Sequence, residues 1–264
     1  MWALGTLGCE LIQGSDLAPV MDVYFEHPLS TEINALICGN SSLADARLVL
    51  AVEMEPEDWL AAYRNRVKPF EVGEVFLVDS REPSAIPVFD QSSRKELRIP
   101  ARNAFGTGSH ASTRLVVEFL ENLDLKGSRV VDLGTGTGIL SLVADHLGAA
   151  SVVAVDTDVV AAFAAREVGS LNGMRIAVLA GRIGCLSSAR LFDLALVNIL
   201  PTRVAADLRD LVDRLDTDGE VIFSGILDVD VIDVRSDIAL VGLEAIDERR
   251  DGEWLAIRAR RVST

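Results

Sequence analysis

The chain has 264 residues, enough for one α/β domain of ordinary size and a small appendage. Its formal net charge of −15 argues against binding a nucleic-acid backbone, which needs clustered Lys and Arg, and suits a basic protein partner, although acidity also serves solubility alone. Three scattered cysteines (Cys9, Cys38, Cys185), short apolar runs and an N-terminus without a basic n-region argue against a disulfide framework, a zinc site, a membrane span and a secretory signal, and make a reducing cytoplasm the expected location.

Taken in order, Leu7 to Gln13 and Val20 to Phe25 read as strands around a Gly14-Ser15-Asp16 turn. Ser30 starts a helical pattern that Gly39-Asn40 stops, and Arg47 to Met54 is a third strand candidate. Residues 1–54 therefore read as a small α+β domain. Pro56-Glu57-Asp58-Trp59 opens a helix through Arg66, with Trp59 and Tyr63 on one face, where interdomain packing is their simplest use. Glu74 to Asp79 is a strand, and Leu97 to Ile99 a weak one, so residues 55–100 read as a linker helix and lead-in strands. Residues 101–264 then hold the catalytic domain. Its first feature is the loop Ala104-Phe105-Gly106-Thr107-Gly108-Ser109-His110-Ala111-Ser112-Thr113, rich in glycine and hydroxyls and feeding a helix that carries Leu115, Val116, Phe119 and Leu120. It is read as a cover over a ligand or as an ordinary surface loop.

The stretch Val130-Val131-Asp132-Leu133-Gly134-Thr135-Gly136-Thr137-Gly138-Ile139-Leu140 follows, and it organises the domain. A β-branched run enters three alternate glycines, then an apolar helical pattern over 138–147. That is a strand, a tight turn and a helix N-terminus, where main-chain N–H groups are approachable and a carboxylate or phosphate is favoured. A dinucleotide fingerprint needs a small residue where Ile139 stands. Gly-x-Gly-x-Gly is instead the spacing of S-adenosylmethionine (AdoMet) methyltransferases of the Rossmann-like class. Ser151 to Val155 is the second strand, ending at Asp156, an acid about twenty residues beyond the glycines and placed for ribose hydroxyls. Asp158 caps the helix to Leu171, and 175–180 form the third strand. Phe192 to Val197 is the fourth, delivering Asn198-Ile199-Leu200-Pro201 to the crevice that also holds Gly134, with Asn198 offering both donor and acceptor, or merely turning the chain before Pro201. A helix at Val204 to Leu215 and strands at Glu220 to Ser224, Ile238 to Ala245 and Trp254 to Arg260 complete the pattern.

On these residues the chain resembles the bacterial PrmA-type methyltransferases, which modify ribosomal protein eleven of the large subunit. The matching stretches are Ala104 to His110, Val131 to Leu140, Gly148-Ala149-Ala150, Asp156, Val197 to Leu200 and Ser224-Gly225-Ile226-Leu227, with Glu253-Trp254 near the end. The resemblance implies a mostly parallel seven-stranded sheet with its last strand antiparallel, and a small N-terminal domain that recognises the ribosomal protein. It also implies N-methylation of lysine ε-amines and an N-terminal amine, with the family's AdoMet contacts carried onto Thr113, Gly134, Asp156 and Asn198; Phe105, Thr135 and Gly136 are expected beside them at the cofactor. The chain departs from the pattern at Pro100-Ala101-Arg102-Asn103, at Gly181-Arg182-Ile183, which supplies no acid for the adenine amine, and over residues 1–54.

Chemically, AdoMet needs only a positioned neutral amine. Asn198 is the candidate for positioning, no general base is assigned, and His110 reads better as structuring its loop. A methyltransferase for another protein or small amine, a nicotinamide oxidoreductase, and an AdoMet-binding protein without turnover stand as alternatives.

Overall fold

The computed structural model describes residues 6–12, 20–25, 68–81, 94–100, 108–174, 176–189, 191–199 and 207–262. The chain separates into two compact units, Met1–Ala62 and Tyr63–Thr264. In the first, β1 (Thr6–Ile12) and β2 (Val20–Phe25) pair antiparallel, with Ile12 opposite Val20. The expected helix after Ser30, the strand at Arg47 to Met54 and the helix after Pro56 lie outside the described residues.

The second unit begins with a three-stranded sheet. β4 (Phe76–Asp79) lies between β3 (Phe70–Val72), antiparallel to it, and β5 (Lys95–Arg98), parallel to it. The Glu121 carboxylate clamps the β3–β4 turn by accepting the N–H groups of Glu74 and Val75 at 2.9 and 2.8 Å.

The main sheet has seven strands: β6 (Arg129–Leu133), β7 (Ser151–Asp156), β8 (Ala177–Ala180), β9 (Phe192–Asn198), β10 (Leu215–Leu227), β11 (Leu243–Asp251) and β12 (Trp254–Arg261). Their order is β11-β12-β10-β9-β6-β7-β8, and only β12 runs against its neighbours. This is the expected Rossmann-like α/β sheet. The order reverses between β6 and β9, so their carboxyl ends flank the crevice where such sheets take ligands.

Both faces of the central strands β6, β7, β9 and β10 are buried, which explains their near-continuous apolar runs. Val130, Leu194, Leu196 and Ile222 point into one core, packed with α1 (Ala111–Glu121) and α2 (Ile139–His146); α3 (Val159–Leu171) covers the same face at β7 and β8. Val131, Ala195, Val197 and Phe223 point into the other, beneath α4 (Leu208–Val212) and α5 (Val231–Leu240). Asp158 caps α3 as expected, accepting the Val160 N–H at 2.8 Å.

The strand expected at Ile238 to Ala245 is corrected. Ile238 to Leu240 end helix α5, and the strand starts at Leu243 and continues to Asp251. Gly242, at φ +80°, breaks the helix and donates its N–H to Ala239 O at 3.1 Å. The branched residues Val231, Ile232, Val234 and Ile238 imitate a strand in sequence, but Val234 and Ile238 fall one helical turn apart and are buried together.

Candidate active site

The glycine turn sits between β6 and α2, with Gly134, Gly136 and Gly138 at φ of +74°, +56° and +84°, which residues with a Cβ rarely adopt. A Cβ on Gly134 would come 2.3 Å from the Ile199 Cγ2, and one on Gly138 would come 3.2 Å from Ala165 Cβ on α3. Two of the glycines thus serve close packing of the turn against its surroundings. Ile139, the residue that spoils a dinucleotide fingerprint, is buried beneath Gly108, where an added Cβ would meet its Cδ1 at 2.3 Å.

Beneath the turn lies Asp132, which sequence reasoning passed over as part of a strand. Its Oδ2 accepts the Thr135 hydroxyl at 2.7 Å, the Ser141 hydroxyl at 2.7 Å and the Ser141 N–H at 3.1 Å. Burial pushes its pKa up, the charge of Asp156 adds to this, and the three donors oppose both. The signal was available: an acid inside the apolar run Val-Val-Asp-Leu needs buried donors, and Ser141 on the apolar helix supplies them. Thr135, expected at the cofactor, spends its side chain on this brace and is buried.

Main-chain donors are spent too. Gly134 and Thr135 donate their N–H groups to Val155 O at 2.8 and 3.1 Å. Gly136 donates to Asp156 Oδ2 at 3.0 Å, while Asp156 Oδ1 accepts the Asp158 N–H at 2.9 Å. The N–H groups of residues 134–136 are therefore engaged, not free as the motif suggested, and the acceptor beside the turn is the Asp156 carboxylate, with Asp132 buried beneath it. Such a lining disfavours the phosphates of a dinucleotide and suits a cation such as a sulfonium. Asp156 keeps a second lone pair on each oxygen, which fits a ribose diol.

Asn198 ends β9, directly opposite Ser224 of β10. Its Nδ2 donates to the buried Thr113 Oγ1 at 3.3 Å, and Oδ1 faces Gly225, where a Cβ would lie 3.3 Å away. Gly225 (φ +77°) thus leaves the amide oxygen clear. The Ser224 hydroxyl donates to Ser112 O at 2.8 Å, tying β10 to the first turn of α1. His110 caps that helix: its Nδ1 accepts the Ser112 N–H at 3.2 Å, and its ring meets Trp254 edge-on with centroids 4.5 Å apart. That is the loop-structuring role expected of it. Phe105 lies outside the described residues. A small hollow, with room for about 20 Å³, lies on the opposite face of the sheet, lined by Val197, Ile199, Phe223 and Ile226, and Ile199 is the side chain it has in common with the glycine turn.

The family model of the ribosomal protein L11 methyltransferases (PrmA) matches residues 15–262. The chain belongs to the PrmA family. The match reaches well back of the motif-bearing part from residue 100 onward. The methyltransferase of Symbiobacterium thermophilum is 36% identical over 210 residues, covering 78% of this chain and 66% of the relative, so the chain spans about two thirds of that protein's length. The Deinococcus radiodurans enzyme is 30% identical over 273 residues, covering 99% of this chain and 92% of the relative. Among solved structures, the ribosomal protein L11 methylase of Lactobacillus delbrueckii subsp. bulgaricus aligns with a TM-score of 0.66 at 29% identity, over 74% of this chain and all of that one. The fold is that of the class I AdoMet-dependent methyltransferases, and family membership brings AdoMet as the cofactor.

Proposed function

We propose that this chain transfers the methyl group of AdoMet to lysine ε-amines and the N-terminal amine of ribosomal protein L11, releasing S-adenosylhomocysteine. The observation that carries the reading is the meeting of the glycine turn, with the Asp156 carboxylate beside it, and Asn198 across adjacent strands β6 and β9, in a member of this family. Phe105, Thr113, Gly134, Gly136, Asp156 and Asn198 hold the cofactor, with Asp156 taking the ribose hydroxyls and Thr135 bracing the turn from beneath. Residues 1–54 recognise the protein substrate, 55–100 link, and 101–264 carry the chemistry, in the cytoplasm.

When bound, AdoMet supplies a methyl group already activated on sulfur, so the protein's task is positioning. Displacement needs a neutral amine in line with that methyl at about 3 Å. A free lysine, with a pKa near 10.4, would pay roughly 4 kcal/mol to be neutral at pH ~7.4. A site that buries the amine beside a cation lowers that cost. Asn198 orients the nucleophile: Thr113 holds its Nδ2, so Oδ1 is left to accept an amine N–H and aim the nitrogen lone pair. No side chain is assigned as a general base.

The test is incubation of the purified chain with labelled AdoMet and ribosomes lacking this methylation, followed by mass spectrometry of the labelled band. Label on L11 amines is expected. Label on another protein would move the substrate, and AdoMet binding without transfer would leave a non-catalytic binding protein.

A further inference from the structure

Val229 and Ile232 are 83% and 78% exposed, the highest among the described large hydrophobic residues, with Leu240 next at 77% at the far end of α5. They lie on the short turn Asp228–Asp230 and the first turn of α5, immediately after β10. The inward side of α5 has its own partners, since Val234 and Ile238 are buried in the core. Position matters here. Gly225 abuts the Asn198 amide, and Val229 follows four residues later, so at most about 14 Å of chain separates Val229 from the residue beside the amide. Val229 therefore lies within that reach of the crevice, with Ile232 in the next helical turn.

Charge identifies what covers it. The two arginines nearby are neutralised: Arg250 pairs with Asp228, and Arg235 pairs with Glu248 at 2.7 Å. Among the described residues Asp230 and Asp233 have no cationic partner, so two uncompensated carboxylates flank the two aliphatic side chains along the chain. A nucleic acid would be repelled. A second copy meeting this patch across a two-fold axis would set the same carboxylates against each other. A basic segment bearing an apolar side chain satisfies both features.

We propose that Val229, Ile232, Asp230 and Asp233 form a docking surface for a basic, partly apolar segment of the protein substrate, which holds it beside the methyl-transfer crevice. This rests on the reading that the substrate is ribosomal protein L11. Two double variants of the full chain test it, V229S/I232S and D230N/D233N, assayed with labelled AdoMet and purified unmethylated L11. Each raises the KM for L11 by roughly tenfold, the loss expected when a central interface contact is truncated. Each leaves kcat and the AdoMet Kd at wild-type values, because none of the four side chains is in the core or the crevice, and V229S/I232S leaves the thermal midpoint in place while D230N/D233N lowers it by a few degrees at most, through lost charge at the N-terminus of α5. The wild-type KM rises with added NaCl, and that of D230N/D233N rises less. Labelled L11 with an unchanged KM in both variants overturns the surface and leaves the activity standing. A wild-type chain that leaves L11 unlabelled overturns both. If light scattering finds a wild-type dimer that V229S/I232S splits into monomers, the occupant is a second copy and the proposal fails.

Discussion

Asp156 shows how much one side chain can do before any ligand arrives. Its two oxygens fasten the glycine turn and the start of the next loop through the N–H groups of Gly136 and Asp158, and half of its lone pairs remain. Asp156→Ala should weaken AdoMet binding by about 1.5–3 kcal/mol for each charge-assisted bond lost, read by calorimetry; unchanged affinity would remove it from the site. Asn198 is tested differently. Asn198→Ala should lower kcat about a hundredfold through lost alignment of the amine, with L11 labelling as the readout. Asn198→Asp places a carboxylate beside the amine, favours ammonium, and should move the acid limb of the pH–rate profile upward by one unit or more. A profile that stays in place would show that the amide does not meet the amine. The glycines, Asp156 and Asn198 were legible because motif spacing fixes them at strand ends. For Asp132 the need for buried donors was legible but not which groups meet it, and the role of Gly225 was not legible, because both depend on neighbours from other elements: Ser141 for the one, Asn198 for the other.

Among the elements, the central strands are stitched at the ends away from the site. Arg129 opens β6 and donates to Asp193 at 2.7 and 3.0 Å, and to Asp216 at 2.7 Å, joining the starts of β6, β9 and β10. The Arg129 guanidinium holds the Asp193 carboxyl below its ordinary value, while Asp216 is lowered first by the Thr217 N–H and then by Arg129. Carboxylates lowered in the folded state add stability above their unfolded pKa and lose it as pH falls through the folded one. Arg129→Met should therefore destabilise the protein more at pH ~7 than at about pH 3, measured by denaturant titration at each pH. Equal losses at both would show that the ion pairs contribute nothing beyond packing. The helix-strand alternation around these strands was readable from apolar periodicity, down to β2 at Val20–Phe25. It misled at α5, where β-branched residues wrote a strand-like pattern and only Gly242 marked the true boundary.

For the whole molecule, the acid-rich composition pointed to a basic partner, while the Asp156 carboxylate in the crevice points to a cationic cofactor. These are separate consequences of charge, one spread over the surface and one built into a turn. The second has a thermodynamic readout that requires no substrate. A ligand that binds only the folded chain at a hundred times its Kd adds about 2.7 kcal/mol of stability. The unit Tyr63–Thr264 has about 200 residues, and a change of 1 kcal/mol moves the midpoint of a unit that size by roughly 2–4 °C. Saturating AdoMet should therefore raise its thermal transition by roughly 5–10 °C. NADH, whose pyrophosphate would meet the Asp156 carboxylate and no free turn N–H from residues 134–136, should leave the transition where it was. The same scan on Asp156→Ala should show most of the AdoMet shift gone. A shift produced by NADH and not by AdoMet would mean that the turn opens its N–H groups to an anion, and the crevice would then belong to different chemistry.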